Sequence, residues 1–232
     1  MSRYKTVGIL GGMGPAATTD LYNRIISIFQ ERYSAKYDAD FPEIVIISLP
    51  IPDIVENIEN EAKTITMLCD AARRLEKVGA SFIAVPCNTA HIYLKQIGEA
   101  VTIPMLNIME EVAQICKEKN FANVGLLSTK FTRDKKQYDN ELESIGVNTI
   151  TLNNSRQTTA TKIVMEILQG NLTQSNKDKL VDLVQNLKNK QAEAVILGCT
   201  EFPLLIKQAD APLPLIDTTQ ILAEACVREA IK

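Results

Sequence analysis

Two cysteines are placed where a parallel α/β sheet would bind a small ligand. Cys87 follows the apolar run Phe82 to Val85, and Cys199 follows the apolar run Ala194 to Leu197. In open parallel sheets, ligands bind at the carboxyl ends of the strands. Residues typical of helix starts come directly after each cysteine, and the unpaired amides of a helix start favour the thiolate form of a thiol. The pattern therefore predicts two reactive thiols at strand ends.

Two thiols on opposite sides of one carbon atom can invert that centre. A thiolate removes the α-proton from one face, and the second thiol delivers a proton to the opposite face. Cys87 and Cys199 therefore predict an amino-acid racemase that uses neither a cofactor nor a metal. Five cysteines without close-paired spacing are also not the pattern of a disulfide framework or of a CxxC-type zinc site.

The other three cysteines have an ordinary structural interpretation. Cys69, Cys116 and Cys226 fall inside helical stretches, next to apolar residues. Free cysteine is among the most buried residue types and behaves as a small hydrophobic side chain. We therefore expect these three thiols to pack in the core.

His91 lies four residues after Cys87, one helical turn further on, and two interpretations of it stay open. The imidazole could orient or activate the thiol, or it could cap a helix as a structural residue. A cysteine hydrolase built on Cys87 and His91 lacks an orienting third group and leaves Cys199 without a role.

A glycine-rich segment, Gly11 to Ala17, follows the first predicted strand. Gly12, Gly14 and Ala17 satisfy the GxGxxA fingerprint, which makes a nicotinamide-dependent enzyme a rival hypothesis. The acidic residue of a dinucleotide site is missing, because the apolar run Ile44 to Leu49 ends without one. We prefer a tight turn whose backbone amides, that of Gly12 among them, bind a substrate carboxylate.

Positioning these residues requires a parallel sheet flanked by helices. Short Val- and Ile-rich runs alternate with segments of helical periodicity, which predicts the α/β class. The strands are expected at residues 6–10, 44–49, 82–85, 103–106, 123–127, 147–152, 194–197 and 213–216.

Three segments of the first half recur in the same order in the second half. Val7-Gly8-Ile9-Leu10 returns as Val124-Gly125-Leu126-Leu127, residues 80–87 resemble 192–199, and residues 103–107 resemble 213–217. The repeats predict two similar Rossmann-like α/β domains related by a pseudo-two-fold axis, with the active site in the cleft between them. We expect residues 1–108 with 217–232 in the first domain and 109–216 in the second.

The composition limits the kinds of binding partner that we expect. The net charge is −3, with basic residues scattered among acidic ones, so we expect no nucleic-acid partner. The N-terminal segment lacks the hydrophobic stretch of a signal peptide or a membrane span. We therefore expect a cytoplasmic chain with free thiols and no membrane partner.

Three segments together carry a resemblance: Gly8 to Pro15, Pro86 to His91, and Gly198 to Glu201. They resemble the aspartate/glutamate racemase family, specifically its aspartate racemase branch, and the likeness spans essentially the whole chain. The resemblance implies a pyridoxal-free racemase of free amino acids that works as a homodimer. It also implies one catalytic cysteine in each domain, and Cys87 and Cys199 supply both.

The family pattern further implies contacts to the α-amino and α-carboxylate groups of the substrate, with one residue lining the pocket. The implied contacts come from Asn88, Thr89, Thr200 and Glu201, and Met13 lines the pocket.

At two positions this chain lacks the basic residues that relatives specific for acidic substrates carry. Relatives specific for aspartate carry an arginine directly after Pro-Asp and a lysine shortly before a glycine, whereas this chain has Ile54 and Leu168 there. Leu168 also continues the helical stripe of Val164 and Ile167.

The remaining candidate for a side-chain anchor is Lys130, with Arg133 as a second. Ser128 and Thr129 stand at a strand end, where they could bind substrate or cap the next helix. We expect aspartate or glutamate as the substrate. The open alternatives are a broad-specificity racemase of neutral or basic amino acids, a cysteine-dependent isomerase or lyase of a small dicarboxylate, and a binding protein.

Overall fold

The computed structural model describes residues 3–55 and 60–232 of the chain. The chain divides into two units. The first comprises Met1–Asp53, Ile58–Asn107 and Thr219–Lys232, and the second comprises Ile54–Asn57 and Ile108–Thr218. Among the described residues, no helix combines the length and the apolar character needed to cross a bilayer.

Strands and helices alternate along the chain. The strands are β1 (Val7–Gly11), β2 (Ile44–Ser48), β3 (Phe82–Ala84), β4 (Asn123–Ser128), β5 (Asn148–Thr151), β6 (Ala194–Gly198) and β7 (Leu215–Asp217). The helices are α1 (Pro15–Tyr33), α2 (Glu61–Lys77), α3 (Leu94–Gly98), α4 (Ile108–Glu118), α5 (Lys130–Asp134), α6 (Asp139–Ser144), α7 (Asn154–Leu168), α8 (Gln174–Asn189), α9 (Phe202–Leu205) and α10 (Thr218–Ala230). Short 3₁₀ helices cover Asp38–Asp40, Thr89–Tyr93 and Gln208–Asp210.

In the described part of the first unit, the strands form a parallel sheet in the order β2-β1-β3. Val7 lies opposite Ile44 on one side and opposite Phe82 on the other. Every residue of β1 is buried, which is why this strand is a continuous apolar run. Gly8 is required by close packing, because a Cβ atom there would lie 2.9 Å from the Ala80 Cβ.

The described strands of the second unit form a parallel sheet in the order β5-β4-β6-β7. β4 lies between β5 and β6, as β1 lies between β2 and β3, so β3 and β6 occupy corresponding places. Gly125 of β4 corresponds to Gly8 of β1, and a Cβ atom there would lie 3.0 Å from the Leu187 side chain. The predicted α/β class with parallel sheets is confirmed.

One predicted strand is wrong. Residues 103–106 form a single bridge, between Ile83 and Met105, instead of a strand. The Ile83 amide donates to the Pro104 carbonyl and the Leu106 amide to the Ile83 carbonyl, each at 2.9 Å. The pairing cannot extend, because Pro104 has no amide hydrogen and α4 begins at Ile108.

The C-terminal helix α10 packs within the first unit. The Lys5 ammonium pairs with the Glu229 carboxylate at 2.7 Å, and the Lys5 amide donates to the Ala230 carbonyl at 2.9 Å. Arg32 of α1 pairs with Glu224 of α10 at 2.6 Å. These contacts join the last helix to the segment just before β1 and to α1.

Candidate active site

Cys199 directly follows β6 and is buried, as are Thr200 and Glu201, the two residues that follow it. Its Sγ donates a hydrogen bond to Oε2 of Glu201 at 2.9 Å, and the Thr200 hydroxyl donates to the same oxygen at 3.3 Å. The Phe202 amide donates to the Cys199 carbonyl at 3.2 Å, which folds the segment into the short helix α9. The buried Glu201 carboxylate therefore lies within hydrogen-bonding distance of the Cys199 thiol and can accept its proton.

Tyr138 lies close to Cys199, and the sequence analysis missed it. Burial raises the pKa of Tyr138 well above its ordinary value, and the nearby Cys116 and Cys199 thiols raise it further. The side chain is completely buried and precedes α6. Nothing in the local pattern could have identified it, since α6 and β6 are far apart in the sequence.

Cys87 stands three residues after the end of β3, and β3 is the strand that corresponds to β6. Its amide donates to the Val85 carbonyl at 2.8 Å, which turns the chain at the strand end. The 3₁₀ helix Thr89–Tyr93 begins almost at once, and Asn88 and Thr89 are both buried. Each unit therefore places a buried thiol, followed by buried polar side chains, just beyond corresponding strands.

His91 binds the backbone of the loop that carries Cys87. Its Nδ1 lies 2.8 Å from the Cys87 carbonyl oxygen, and the ring also bonds the backbone of Leu106. Burial lowers the pKa of His91 to about 4, against the opposing effect of these two hydrogen bonds. The imidazole is therefore neutral at pH 7. This geometry supports the structural interpretation of His91, in which the ring fixes the path of the Cys87 backbone.

The glycine-rich turn between β1 and α1 is held by its own hydrogen bonds. The Gly12 amide donates to the Thr18 hydroxyl at 2.9 Å, and that hydroxyl donates to the Gly14 carbonyl at 3.0 Å. Gly12 has a φ of +97°, and a Cβ atom there would lie 2.4 Å from the Leu49 nitrogen, so only glycine fits. Met13 is buried beside it. The Gly12 amide is satisfied inside the turn, and its predicted contact with substrate stays a prediction.

The segment after β4 begins the helix α5. The Thr129 hydroxyl accepts from the Thr132 amide at 3.2 Å, so Thr129 caps α5, which is one of the two roles left open for it. Ser128 is fully buried, and its carbonyl accepts from the Gln157 side chain at 2.8 Å. The substrate contacts predicted for Ser128 and Thr129 remain predictions.

Lys130 is one of the residues that line an open cavity of about 590 Å³ within the second unit. Its side chain is 65% exposed and forms an ion pair with Asp134. Arg133 pairs with the same carboxylate at 2.7 Å, so two cations share one anion. The lining residues are Val55, Lys130, Arg133, Asp134, Asn154, Gln157, Thr158, Thr161 and Lys162.

Ile54 and Leu168, which stand where relatives specific for aspartate carry basic residues, differ in burial. Ile54 is only 4% exposed, and the adjacent Val55 packs on the hydrophobic core of the second unit. Leu168 is 39% exposed, although Val164 and Ile167 are buried. The expectation that Leu168 continues their stripe is wrong, because Leu168 ends α7 and turns away from the core.

The three remaining cysteines are core residues, as expected. Cys69, Cys116 and Cys226 are all buried. Burial raises the pKa of the Cys116 thiol to about 11 and also raises that of Cys69, whose Sγ lies 3.5 Å from the Gln96 carbonyl oxygen. Burial therefore favours the protonated form of the Cys69 and Cys116 thiols.

The fold and these side chains define a class of protein, a parallel α/β protein with a buried thiol just beyond corresponding strands of its two units. The chain belongs to the Asp/Glu/hydantoin racemase family, whose sequence profile matches residues 10–226. It is 31% identical, over 95% of its length and 96% of the relative, to the broad specificity amino-acid racemase RacX of Bacillus subtilis (strain 168).

Solved structures show the same relationship. The aspartate racemase of Picrophilus torridus is similar with a TM-score of 0.85 and 30% identity, over 97% of this chain and 93% of that one. An aspartate racemase homologue from Pyrococcus horikoshii OT3 gives a TM-score of 0.80 and 32% identity, over 97% and 98%. Membership of this family displaces the nicotinamide-dependent hypothesis.

Proposed function

We propose that this chain is a cofactor-independent amino-acid racemase in which Cys87 and Cys199 exchange the α-proton of the substrate. The observation that carries the proposal is the repeated placement of a buried thiol beyond β3 and β6, the corresponding strands of the two units. Inversion requires both thiols to reach one α-carbon, from opposite faces. The three other thiols are core residues and leave this pair as the acid and the base.

In one direction, the Cys87 thiolate takes the α-proton and the Cys199 thiol protonates the resulting carbanion on its other face. This turnover leaves Cys87 protonated and Cys199 as a thiolate. In the opposite direction Cys199 must begin as the thiolate, and Glu201, 2.9 Å from its Sγ, can accept the thiol proton. Glu201 is therefore the group that we propose to set the protonation state of Cys199, in addition to the substrate contact implied by the resemblance.

The polar residues beside the thiols are suited to hold the part of the substrate common to all amino acids. Asn88, Thr89 and Thr200 are buried polar residues that directly follow Cys87 and Cys199 in the sequence. We propose that they bind the α-amino and α-carboxylate groups, with Met13 lining the pocket.

For the side chain we propose broad specificity, with acidic amino acids as weaker substrates. A carboxylate removed from water needs a paired cation. Ile54 and Leu168 provide none, and the most exposed candidate, Lys130, already pairs with Asp134. The broad specificity stated for the B. subtilis relative agrees with this choice.

Aspartate or glutamate is the second candidate. The cavity beside Lys130 also contains Arg133 and Lys162, so its cations exceed its single carboxylate, Asp134. A side-chain carboxylate would be attracted there if the substrate reaches this cavity.

The decisive experiment incubates each L- and D-amino acid with the enzyme in deuterated water, without added cofactor. Chiral chromatography with mass spectrometry then follows inversion and α-deuteration. We expect deuterium in the inverted product, and we expect Cys87→Ala and Cys199→Ala each to abolish inversion while Cys226→Ala retains it. Full activity of either active-site variant, or a requirement for pyridoxal phosphate, would refute the mechanism.

We propose a cytoplasmic location and a homodimeric state. All five cysteines are free, which suits a reducing compartment. The homodimer is the assembly that the family resemblance implies, and sedimentation velocity on the purified chain tests it.

A further inference from the structure

Helix α7 presents an amide and a hydroxyl to the open cavity of the second unit, through Gln157 and Thr161. Gln157 is only 2% exposed, and its Nε2 donates to the Ser128 carbonyl at 2.8 Å. A carbonyl oxygen only accepts, so the Gln157 amide is held with its NH2 group towards Ser128 and its Oε1 turned away. Within residues 3–55 and 60–232, neither this Oε1 nor the buried Thr161 hydroxyl has a hydrogen-bond partner.

The cavity lies at the same edge of the sheet as Cys199. Both α5, which follows β4, and α7, which follows β5, supply lining residues, so the cavity is at the carboxyl ends of these two strands. Ser128 is paired in register with Gly198, the residue before Cys199. Adjacent strands lie about 4.8 Å apart. Gln157 is therefore anchored one strand away from the strand that carries Cys199, in the direction in which a substrate side chain can extend.

The charged groups of the cavity are occupied or exposed. Lys130 and Arg133 both pair with Asp134, and Lys162 is exposed to water, which weakens its attraction for an anion. Buried polar groups in folded proteins are normally hydrogen-bonded, and an unmet one is costly. The acceptor of Gln157 and the hydroxyl of Thr161 are therefore the groups that a ligand would satisfy.

We propose that this cavity receives the side chain of the substrate and that Gln157 and Thr161 select a carboxamide, as in glutamine. This inference rests on the proposed racemase function and deepens it by naming the preferred class of side chain. Residues four apart on a helix lie about 5 to 6 Å apart, so one carboxamide can contact both. Its NH2 group donates to the Gln157 Oε1, and its carbonyl oxygen accepts from the Thr161 hydroxyl.

Other side chains satisfy this pair of groups less well. A carboxylate can accept from the Thr161 hydroxyl, but it has no proton for the Gln157 Oε1, so two acceptors would face each other. An aliphatic or thioether side chain would leave both groups without a partner. The cavity therefore distinguishes an amide from an acid of the same shape.

The test uses three substrates of similar length, L-glutamine, L-glutamate and L-methionine. Chiral kinetics on the wild type should give the highest kcat/KM for glutamine, on the order of 10-fold above each of the other two, which is the loss expected when one buried hydrogen-bonding group is left unmet. Thr161→Val keeps the shape of the side chain and removes a hydroxyl that no described residue bonds, so the variant should fold. It should lower kcat/KM for glutamine on the order of 10-fold and leave methionine unchanged.

The matched control is Thr159→Val on the same helix. Thr159 lines another cavity of the second unit and not this one, so its variant should keep the wild-type preference. Gln157→Met should remove the preference for glutamine over methionine. Because Gln157→Met also leaves the Ser128 carbonyl without its donor, Thr161→Val decides the matter if that variant does not fold.

Titration calorimetry with the same three amino acids measures binding apart from turnover. If no amino acid is inverted, the racemase function is refuted, and calorimetry still shows whether the cavity prefers an amide. Equal affinity and equal kcat/KM for the three, or a preference for glutamate, would overturn the amide site. So would a preference for glutamine that survives unchanged in Thr161→Val.

Discussion

His91 should make the stability of this chain depend on pH over a defined window. The unfolded chain binds a proton at this histidine below its ordinary pKa of 6.5, whereas the folded chain does so only below about 4. Between these two values the unfolded state binds more protons than the folded state. The free energy of unfolding therefore falls as the pH is lowered from 6.5 towards 4, and it is unaffected by His91 above this window.

The size of this pH effect on the free energy of unfolding follows from the shift in the pKa of His91. Each pH unit within the window costs about 1.4 kcal/mol, so the contribution summed over the full window is about 3 kcal/mol. This is a large part of the stability of a typical domain, about 5 to 15 kcal/mol. Burial is the physical cause, because the charged imidazolium would lose its hydration.

The assay compares urea unfolding of the wild type and of His91→Asn at several pH values from 8 to 4. Asparagine places an amide nitrogen near the position of Nδ1, so the bond to the Cys87 carbonyl can be kept. Carboxylates with lowered pKa values, such as Asp40 and Glu229, are common to both proteins and cancel in the difference. The stability advantage of the wild type should shrink as the pH falls from 6.5 to 4. A difference that stays constant across this window would refute the assignment of His91 as a buried neutral residue.

Four further outcomes are expected. Glu201→Gln should lower kcat on the order of 100-fold, since an amide cannot accept the Cys199 proton, and chiral kinetics in both directions would measure it. Peptide mapping after iodoacetamide treatment should find Cys116 unlabelled, because burial raises its pKa to about 11; early labelling there would contradict the core assignment. Lys130→Ala should affect aspartate and neutral substrates equally if specificity is broad, whereas a selective loss of aspartate turnover would favour the acidic candidate. Ile54→Arg should lower KM for aspartate if residue 54 faces the substrate, and unchanged kinetics in a folded variant would show that it only packs.

Seven of the eight expected strands, and the place of each of the two thiols just beyond a strand, could be predicted from the sequence. Continuous apolar runs such as Val7-Gly8-Ile9-Leu10 are typical of central parallel strands, and β1 is buried along its whole length. The strand that precedes each cysteine was identified in the same way. These features are local, because hydrophobic runs and their flanking turn residues are contained within one segment.

Contacts between segments could not be predicted. Two interpretations of His91 were equal at the level of the sequence, and its burial against the backbone of Cys87 and Leu106 decided between them. The strand expected at 103–106 was reduced to one bridge, because the onset of α4 limits the pairing. Leu168 followed the helical pattern but ended outside the core.

Cys199 shows most clearly which properties come from the sequence and which come from the fold. Its residue type, its place after a strand and its counterpart in the other half of the chain are properties of the sequence alone. The hydrogen bond from its thiol to Glu201, and the burial of Tyr138 nearby, are properties of the folded unit. Only tertiary packing removes water from these groups, and the loss of water strengthens the hydrogen bond between the thiol and the carboxylate 2.9 Å apart.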